Sequence, residues 1–268
     1  STMKYYRDNT YYYISDSFTR KVSLVVLPID DFTGKPILGS NVRVYIEGAP
    51  PPIKKSEGYH VFVNLDRPTV TVHAVGGQYN PRSVQCDLTA SEDKYTFVKL
   101  RMIPNRSYPI PPNTTCIEGK AAPGSLIMIF CRDGASAYKL LYDYKKEKSR
   151  DNRQISIFHP DDIDMEGKLL HITDSEGKNQ ELLRITGVVD KENKMYLLEK
   201  ELSANYKKIG TSLFTVYETT ADTSGNFFLP IANTYKEKNL YTCMLVGEKP
   251  VSIELELESG RVNKIDLR

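Results

Sequence analysis

The stretch from Val22 to Leu88 most constrains the fold, because short runs of alternating apolar and polar residues are cut repeatedly by Gly, Pro, Asp and Asn. Val44 and Ile46, for example, alternate with Arg43 and Tyr45. In an extended chain this period puts one set of side chains on a buried face and the other on a solvent face. Short strands of this kind, separated by turn residues, predict an antiparallel β-sandwich.

Composition places the 268-residue chain among ordinary globular proteins, with 40% hydrophobic and 26% charged residues. This length is sufficient for two or three domains. The net charge is only +2, with Lys and Arg spread along the chain, so no nucleic-acid partner is predicted. The chain has no continuous apolar run of about 18 residues, so no membrane span is predicted either.

Five tyrosines concentrate near the start of the chain, within residues 1–19. This segment is predicted to be an extended arm, and its rings are the candidate interaction residues because Tyr provides a large contact area at low entropic cost. An alternative is that the rings simply pack on the first domain. The five residues are Tyr5, Tyr6, Tyr11, Tyr12 and Tyr13.

The first residues contain no apolar region of a signal peptide. Ser1 and Thr2 precede Met3 as residues left from expression would, which makes Met3 the expected native start. On this basis we expect synthesis in the cytoplasm without a signal peptide, followed by incorporation into a released or surface particle.

Three motifs in the first part of the chain resemble the carboxypeptidase-regulatory, transthyretin-like sandwich. They are Thr33-Gly-Lys-Pro-Ile, then Gly58-Tyr-His-Val-Phe-Val-Asn-Leu, then Thr69-Val-Thr-Val-His-Ala followed by Gly-Gly-Gln-Tyr. The resemblance implies a seven-stranded sandwich without an activity of its own.

Residues 103–113 contain four prolines, which predicts a stiff, extended linker between domains. Beyond it, Gly119-Lys-Ala-Ala-Pro-Gly-Ser and Ala221-Asp-Thr-Ser-Gly-Asn-Phe resemble turns of one bacterial Ig-like repeat. Such turns are normally separated by roughly ten residues, the length of an ordinary turn and strand. Here they are about ninety residues apart, which favours a second domain inserted into the Ig-like one at an exposed loop.

The insert contains five short strand-like runs separated by polar turns, which predicts a small β-barrel. Its Leu182-Leu-Arg-Ile-Thr-Gly-Val-Val run is loosely similar to small barrels of phage-tail proteins. The fold class expected for the whole chain is therefore all-β: a transthyretin-like sandwich, a Pro-rich linker, and an Ig-like sandwich interrupted by a small barrel. The expected divisions are 1–19 (arm), 20–102 (first sandwich), 103–113 (linker), 114–137 plus 219–268 (Ig-like sandwich) and 138–218 (barrel).

No catalytic, cofactor-binding or metal-binding residues stand out in the sequence. His60 and His73, on consecutive predicted strands, could lie close together on one sheet, or both face solvent. The acidic run from Asp162 to Gly167 imitates the first half of a calcium loop, but Thr173 stands where such a loop has Glu; an acidic turn is the simpler interpretation.

The four cysteines are far apart and contain no C-x-x-C pair, so we expect buried free thiols and no zinc site. A Cys116–Cys131 or Cys131–Cys243 disulfide is the alternative.

The pattern of serial β modules without an active-site motif favours a non-catalytic structural or adaptor protein. We expect it to act through protein–protein surfaces, with other subunits of an assembly as partners. Such β modules usually belong to proteins outside the cell, whereas this sequence shows no export signal. A phage-tail-like or contractile injection particle would account for both, because its parts are made and assembled in the cytoplasm. The alternatives are a module that binds a carbohydrate or surface ligand and an enzyme of unknown class.

Overall fold

The structure, a computed structural model, describes residues 2–7, 10–15, 21–89, 95–131, 138–147, 151–231, 238–246 and 251–268, with only the backbone for 2–7, 10–15 and 238. In these ranges every regular element is a β-strand. No helix in the described part of the chain is long and apolar enough to cross a membrane. The strands are β1 (Thr2–Arg7), β2 (Thr10–Ser15), β3 (Val22–Asp30), β4 (Arg43–Ile46), β5 (Ile53–Lys54), β6 (His60–Val63), β7 (Thr69–Gly76), β8 (Tyr79–Asp87), β9 (Thr96–Met102), β10 (Thr115–Lys120), β11 (Leu126–Cys131), β12 (Lys139–Leu140), β13 (Gln154–Phe158), β14 (Leu169–Thr173), β15 (Gln180–Asp190), β16 (Met195–Leu198), β17 (Ser212–Thr215), β18 (Tyr217–Thr220), β19 (Asn226–Ile231), β20 (Lys238–Val246), β21 (Val251–Glu258) and β22 (Val262–Asp266).

Strands β3 to β9 form the first sandwich, from a four-stranded sheet in the order β5-β6-β3-β9 and a three-stranded sheet in the order β4-β7-β8. The alternating residues of β4 and β7 bury one face, as their sequence predicts: Val44 and Val72 are buried while Arg43 and Thr71 are exposed. The first and last strands, β3 and β9, pair in parallel.

Strands β10, β11 and β18 to β22 form the second sandwich, with sheets in the orders β19-β10-β22 and β18-β11-β20-β21. Its first and last strands, β10 and β22, also pair in parallel. The strand order matches that of the first sandwich apart from one strand: β5 joins β6 in the first, whereas β18 joins β11 in the second. The two sandwiches are therefore variants of one topology.

Strands β12 to β17 form a six-stranded sheet in the order β12-β13-β16-β15-β14-β17. A bridge between Tyr138 and Leu213 joins the two ends of this sheet, so that it nearly closes into a barrel. Its interior is apolar and includes the fully buried Ile157, Leu170 and Tyr206. The barrel lies between β11 and β18; in the first sandwich the equivalent connection is only the short segment 47–52.

These observations confirm the expected fold class, an all-β chain in which a sandwich is interrupted by a small barrel. The separation of two turn motifs along the sequence was the signal for the insertion.

The segment predicted as a linker is anchored in its first half. Ile103 and Pro104 are buried, and Pro104 forms a bridge with Tyr79. Both Tyr79 and Tyr108 donate hydrogen bonds to the buried Asp30 carboxylate, at 2.9 and 2.5 Å. Burial, together with this carboxylate, raises the pKa of both phenols. Residues 109–111 have no regular structure, and residues 112 and 113 form a turn in which Asn113 has a φ of 61°.

Three bodies meet around one carboxylate, that of Glu218 on β18, whose side chain is only 12% exposed. Arg184 of the barrel donates to both of its oxygens, at 3.2 and 2.8 Å. Arg82 of the first sandwich lies 3.6 Å from one of them. A mostly desolvated carboxylate between two guanidinium groups is held much more strongly than an exposed pair, so it fixes the relative positions of the three bodies.

Candidate functional site

The five candidate tyrosines lie in an N-terminal hairpin, in which β1 and β2 pair antiparallel. Tyr5 pairs with Tyr12, Tyr6 with Tyr11, and Lys4 with Tyr13. Their side chains lie outside the described part of the structure. The extended arm expected from the sequence is therefore folded back on itself, and the tyrosines occupy adjacent register positions.

The register assigns the hairpin positions to two faces, because residues directly opposite in an antiparallel pair share a face and successive residues alternate. The pairs Met3–Ile14 and Tyr5–Tyr12 share one face. The pairs Lys4–Tyr13 and Tyr6–Tyr11 share the other. By the same rule the pair Arg7–Thr10 lies on the first face, so each face combines aromatic residues with one cation.

A cleft of about 520 Å³ lies between the two sandwiches. One wall comes from the first sandwich and the segment that follows it, and the other from β10, β19 and β22 of the second. Charged, amide and aromatic groups share its surface. The side chains that define its chemistry are Asn80, Asn105, Arg106, Glu118, Lys120, Asn226, Phe228 and Lys264.

Glu118 is the least exposed charge in this cleft, with 16% of its side chain accessible. Arg106 lies 2.8 Å from one of its carboxylate oxygens and Lys264 lies 3.8 Å from the other. Both cations are mostly exposed, so they can reorient toward a bound molecule. The cleft can therefore present a carboxylate, two or three cations and an aromatic ring to a polar ligand.

A second cavity, of about 510 Å³, lies where the barrel meets the first sandwich. The Lys99 amine is 2.9 Å from the carboxylates of both Asp164 and Glu166. These two ion pairs span the same junction. Lys168 lines this cavity, and burial, with the charge of Arg101, lowers the pKa of its amine. Asp31 and Asp164 oppose that effect only in part. The ion pairs of Lys99 with Asp164 and Glu166 join the two bodies beside this cavity.

The two histidines singled out in the sequence lie on different sheets. His60 is on β6 in the four-stranded sheet and His73 is on β7 in the three-stranded sheet. The interpretation that both face solvent is wrong for His60, which is 3% exposed and bonded through Nδ1 to the Gly58 carbonyl at 3.1 Å. His73 stacks on Tyr45 with ring centroids 5.1 Å apart and contacts Ser83.

Burial of His60 predicts that stability falls as the pH is lowered below about 6.5. Burial lowers the pKa of His60, and Lys54 on the neighbouring strand acts in the same direction. The unfolded chain takes up a proton near pH 6.5, whereas the folded chain resists it until a lower pH. The native state therefore binds fewer protons in this window, and stability is lost as the pH falls.

The measurement is urea denaturation at intervals from pH 7.5 to 5.0. A His60→Leu variant should show a shallower loss of unfolding free energy with falling pH, by about 1.4 kcal/mol for each pKa unit of depression removed. His73→Leu, which removes a half-buried histidine from the next strand, is the matched control. Equal slopes for His60→Leu and the parent would contradict the assignment.

The other candidate groups have structural partners. Asp164 bonds Lys99 and the backbone amide of Glu166, so the acidic run forms a turn at a junction of bodies. No group of three His, Cys, Asp or Glu suited to a metal ion is found among the described residues. All four cysteines are free thiols, in agreement with the sequence-based expectation and against the alternative disulfides. Burial raises the pKa of Cys86, Cys116 and Cys243 to about 11.

Comparison with known proteins follows from this geometry. No protein-family model and no curated protein sequence matches the chain. Among solved structures it is similar to the shaft pilin spaA of Lactobacillus rhamnosus GG, at 14% identity and a TM-score of 0.24, over 92% of this chain and 97% of that one. It is also similar to a DUF3823 family protein of Bacteroides ovatus, at 11% identity and a TM-score of 0.24, over 90% and 98% of the two chains.

A third similar structure is the Bacillus anthracis TIE protein, at 10% identity and a TM-score of 0.24, over 92% of this chain and 50% of that one. Similarities at these TM-scores support no conclusion about family or function. What the fold defines is a class by architecture: an all-β protein of two related sandwiches, one of which carries an inserted barrel.

Sequence reasoning missed the cleft between the sandwiches. Its walls come from segments more than a hundred residues apart, such as Asn105 and Phe228. No local pattern marks residues that meet only when two sandwiches pack together. The available signal was the pair of charged residues on β10, Glu118 and Lys120, because charged side chains on a sandwich strand indicate a surface with oppositely charged partners on neighbouring segments.

Proposed function

We propose that this chain is a non-catalytic structural or adaptor protein that acts through protein–protein surfaces, with the N-terminal hairpin as its docking arm. The observation that carries the proposal is the pairing of five tyrosines within one two-stranded hairpin. A two-stranded hairpin is marginally stable by itself in water. Packing on a partner supplies the covering layer that a two-stranded hairpin needs for stability. Tyrosine is among the residues enriched at such interfaces.

The joints between the bodies support the same proposal. Glu218 binds cations from two bodies, and Arg101 joins the first sandwich to the barrel. Phe130 of the second sandwich stacks on His171 of the barrel, with ring centroids 4.1 Å apart. A framework held at several points can present distant surfaces in a fixed geometry, which a subunit of an assembly requires.

The test replaces all five hairpin tyrosines with serine and measures the masses of complexes recovered from cells that make the protein naturally. We expect the parent to be found in complexes of defined mass and the variant to be lost from them. Tyr45→Ser combined with Tyr142→Ser, which removes tyrosines elsewhere, is the control. Retention of the complexes by the five-tyrosine variant would refute the arm, and a parent that is always monomeric and partnerless would refute the assembly role.

A phage-tail-like or contractile injection particle is the assembly we propose for it. The support for this setting is the loose similarity of the barrel's Leu182-Leu-Arg-Ile-Thr-Gly-Val-Val run to small barrels of phage-tail proteins. Recovery of the parent with tail-type proteins in the same mass measurement supports it, and recovery only with unrelated proteins contradicts it.

The second candidate function is binding of a carbohydrate or another polar surface ligand in the inter-sandwich cleft. The mixed lining of Glu118, the amides and the Phe228 ring favours it, since sugars are bound by hydrogen-bonding groups beside an aromatic face. A glycan array with the parent and a Phe228→Thr variant tests this candidate. Saturable binding lost in the variant supports it, and an array without binding rejects it.

A further inference from the structure

The outer face of the four-stranded sheet of the first sandwich is apolar at the level of Val25, whereas Lys99 and Arg101 on the same face of β9 bond to the barrel. The registers align Ile53, Val61, Val25 and Phe97 in one row across all four strands. Phe97 is 41% and Ile53 37% exposed, and the other two are half-buried. The Tyr59 ring lies beside this row, with its centroid 6.3 Å from that of Phe97. We call the four aligned residues the apolar row.

Other outer faces of the same molecule are polar, which makes the apolar row distinctive. The opposite sheet of the first sandwich has Thr69, Thr71, Ser83, Gln85 and Asp87 at its exposed outward positions. The outward residues of β21 in the second sandwich are Ser252, Glu254, Glu256 and Glu258.

An antiparallel sheet normally keeps one face polar toward water, and contiguous apolar surface marks an interaction site. The sequence of β3 carries the same information. Residues Leu24 to Ile29 are apolar at every position, so both faces of this strand are apolar. Leu24 and Val26 fill the core, and Val25 is left for a partner.

The chain itself contains a surface of matching character. The hairpin face with Met3, Tyr5, Tyr12 and Ile14 is apolar and aromatic at these four positions, and the pair Arg7–Thr10 adds a cation on the same face. It is also a short, two-stranded sheet in need of a covering layer. Two sheets packed face to face bury such residues against each other.

We propose that the apolar row binds the N-terminal hairpin of a second copy of this chain, through the hairpin face that carries Tyr5 and Tyr12. The inference rests on the proposed function, in which the hairpin is a docking arm, and it names the surface that receives it. Phe97 and Ile53 are exposed, so the row is open to a hairpin of another copy. Because the hairpin and the row are different surfaces, the contact is heterologous and can repeat from copy to copy.

The experiment measures mass against protein concentration for full-length variants by analytical ultracentrifugation. The donor variant is Tyr5→Ser with Tyr12→Ser, and its control is Tyr45→Ser with Tyr142→Ser, two tyrosines outside the hairpin. The acceptor variant is Val61→Thr with Phe97→Thr. Its control is Val188→Thr with Val189→Thr, two valines 48% and 45% exposed on the barrel. Thermal unfolding checks that each variant is folded.

We expect the parent and both controls to form oligomers that grow with concentration. Each of the two test variants should weaken association at least tenfold, the usual effect of removing central aromatic contacts. A mixture of donor and acceptor variants should form pairs and stop there, because each pair retains one intact hairpin and one intact row in contact.

Other outcomes overturn the inference and show which part failed. If the acceptor variant oligomerises like the parent but the donor variant does not, the hairpin remains a docking arm and the receiving surface lies elsewhere. If the parent is monomeric and amide exchange shows the row protected by its own hairpin, the contact is intramolecular. If the parent is monomeric here but the five-tyrosine variant loses complexes with another protein, the hairpin is a docking arm for that protein. The proposal that it binds a second copy of this chain is then wrong. A monomeric parent with no partners refutes both proposals.

Discussion

Replacement of Gly119 by alanine is expected to cost at least about 3 kcal/mol of unfolding free energy, the upper range for overpacked sites. A Cβ at Gly119 would overlap the carbonyl oxygen of Ile265 and would lie 3.1 Å from the Phe227 ring. The first clash is with backbone, so no rotamer change relieves it. β10 and β22 must separate or shift, and their parallel pairing closes the second sandwich.

Urea denaturation and limited proteolysis measure this effect. Gly187→Ala is the matched control, because Gly187 also lies in a strand and nothing lies within 4 Å of its would-be Cβ. We expect that change to stay within about 0.5 kcal/mol, as for other open surface sites. Equal stability of the two variants would show that β10 and β22 do not approach as closely as the structure has them.

Replacement of Arg101 by leucine is expected to loosen the joint between the first sandwich and the barrel, at a cost of about 3 kcal/mol. The Arg101 side chain is only 8% exposed. Its guanidinium donates to the backbone carbonyls of Glu166 and Asp164 at 2.9 and 3.1 Å, and it lies 3.4 Å from the Asp31 carboxylate. Leucine leaves these acceptors without their donor in a poorly hydrated place.

The readout combines urea denaturation with proteolysis of the 164–167 loop, which should be cut faster in Arg101→Leu. Arg153→Leu is the control, since Arg153 forms an exposed pair with Asp151, at 51% and 42% exposure, and water screens such a pair so that its removal should change stability little. A loss for Arg101→Leu no larger than that for Arg153→Leu would show that the joint does not depend on this arginine.

The sequence predicts the strands well where burial is one-sided. Alternation at Val44 and Ile46, and at Val72 and Ala74, reports the buried face directly. The inserted barrel was also predictable, because two turn motifs of one sandwich that lie far apart in the sequence leave room for a whole domain between them. The first signal is local along the chain. The second depends only on the order and spacing of motifs in the sequence.

Features that depend on pairing between distant segments were not predictable. His60 and His73 lie on consecutive strands of the sequence, but the chain crosses from one sheet to the other between them. Tyr108 looked like part of a free linker because its acceptor, the buried Asp30, lies far back in the sequence. Prediction of the N-terminal hairpin would have required the pairing register of its two strands, which the sequence between Tyr6 and Tyr11 does not specify strongly.

The parallel pairing of the first and last strands in both sandwiches has a mechanical consequence. Each sandwich is entered through one of these strands and left through the other. Tension applied to the two chain ends therefore pulls the paired strands past each other, and their hydrogen bonds resist together rather than opening one at a time. The barrel is inserted in a connection inside the second sandwich, between β11 and β18, so its own backbone is not stretched until β10 and β22 have come apart.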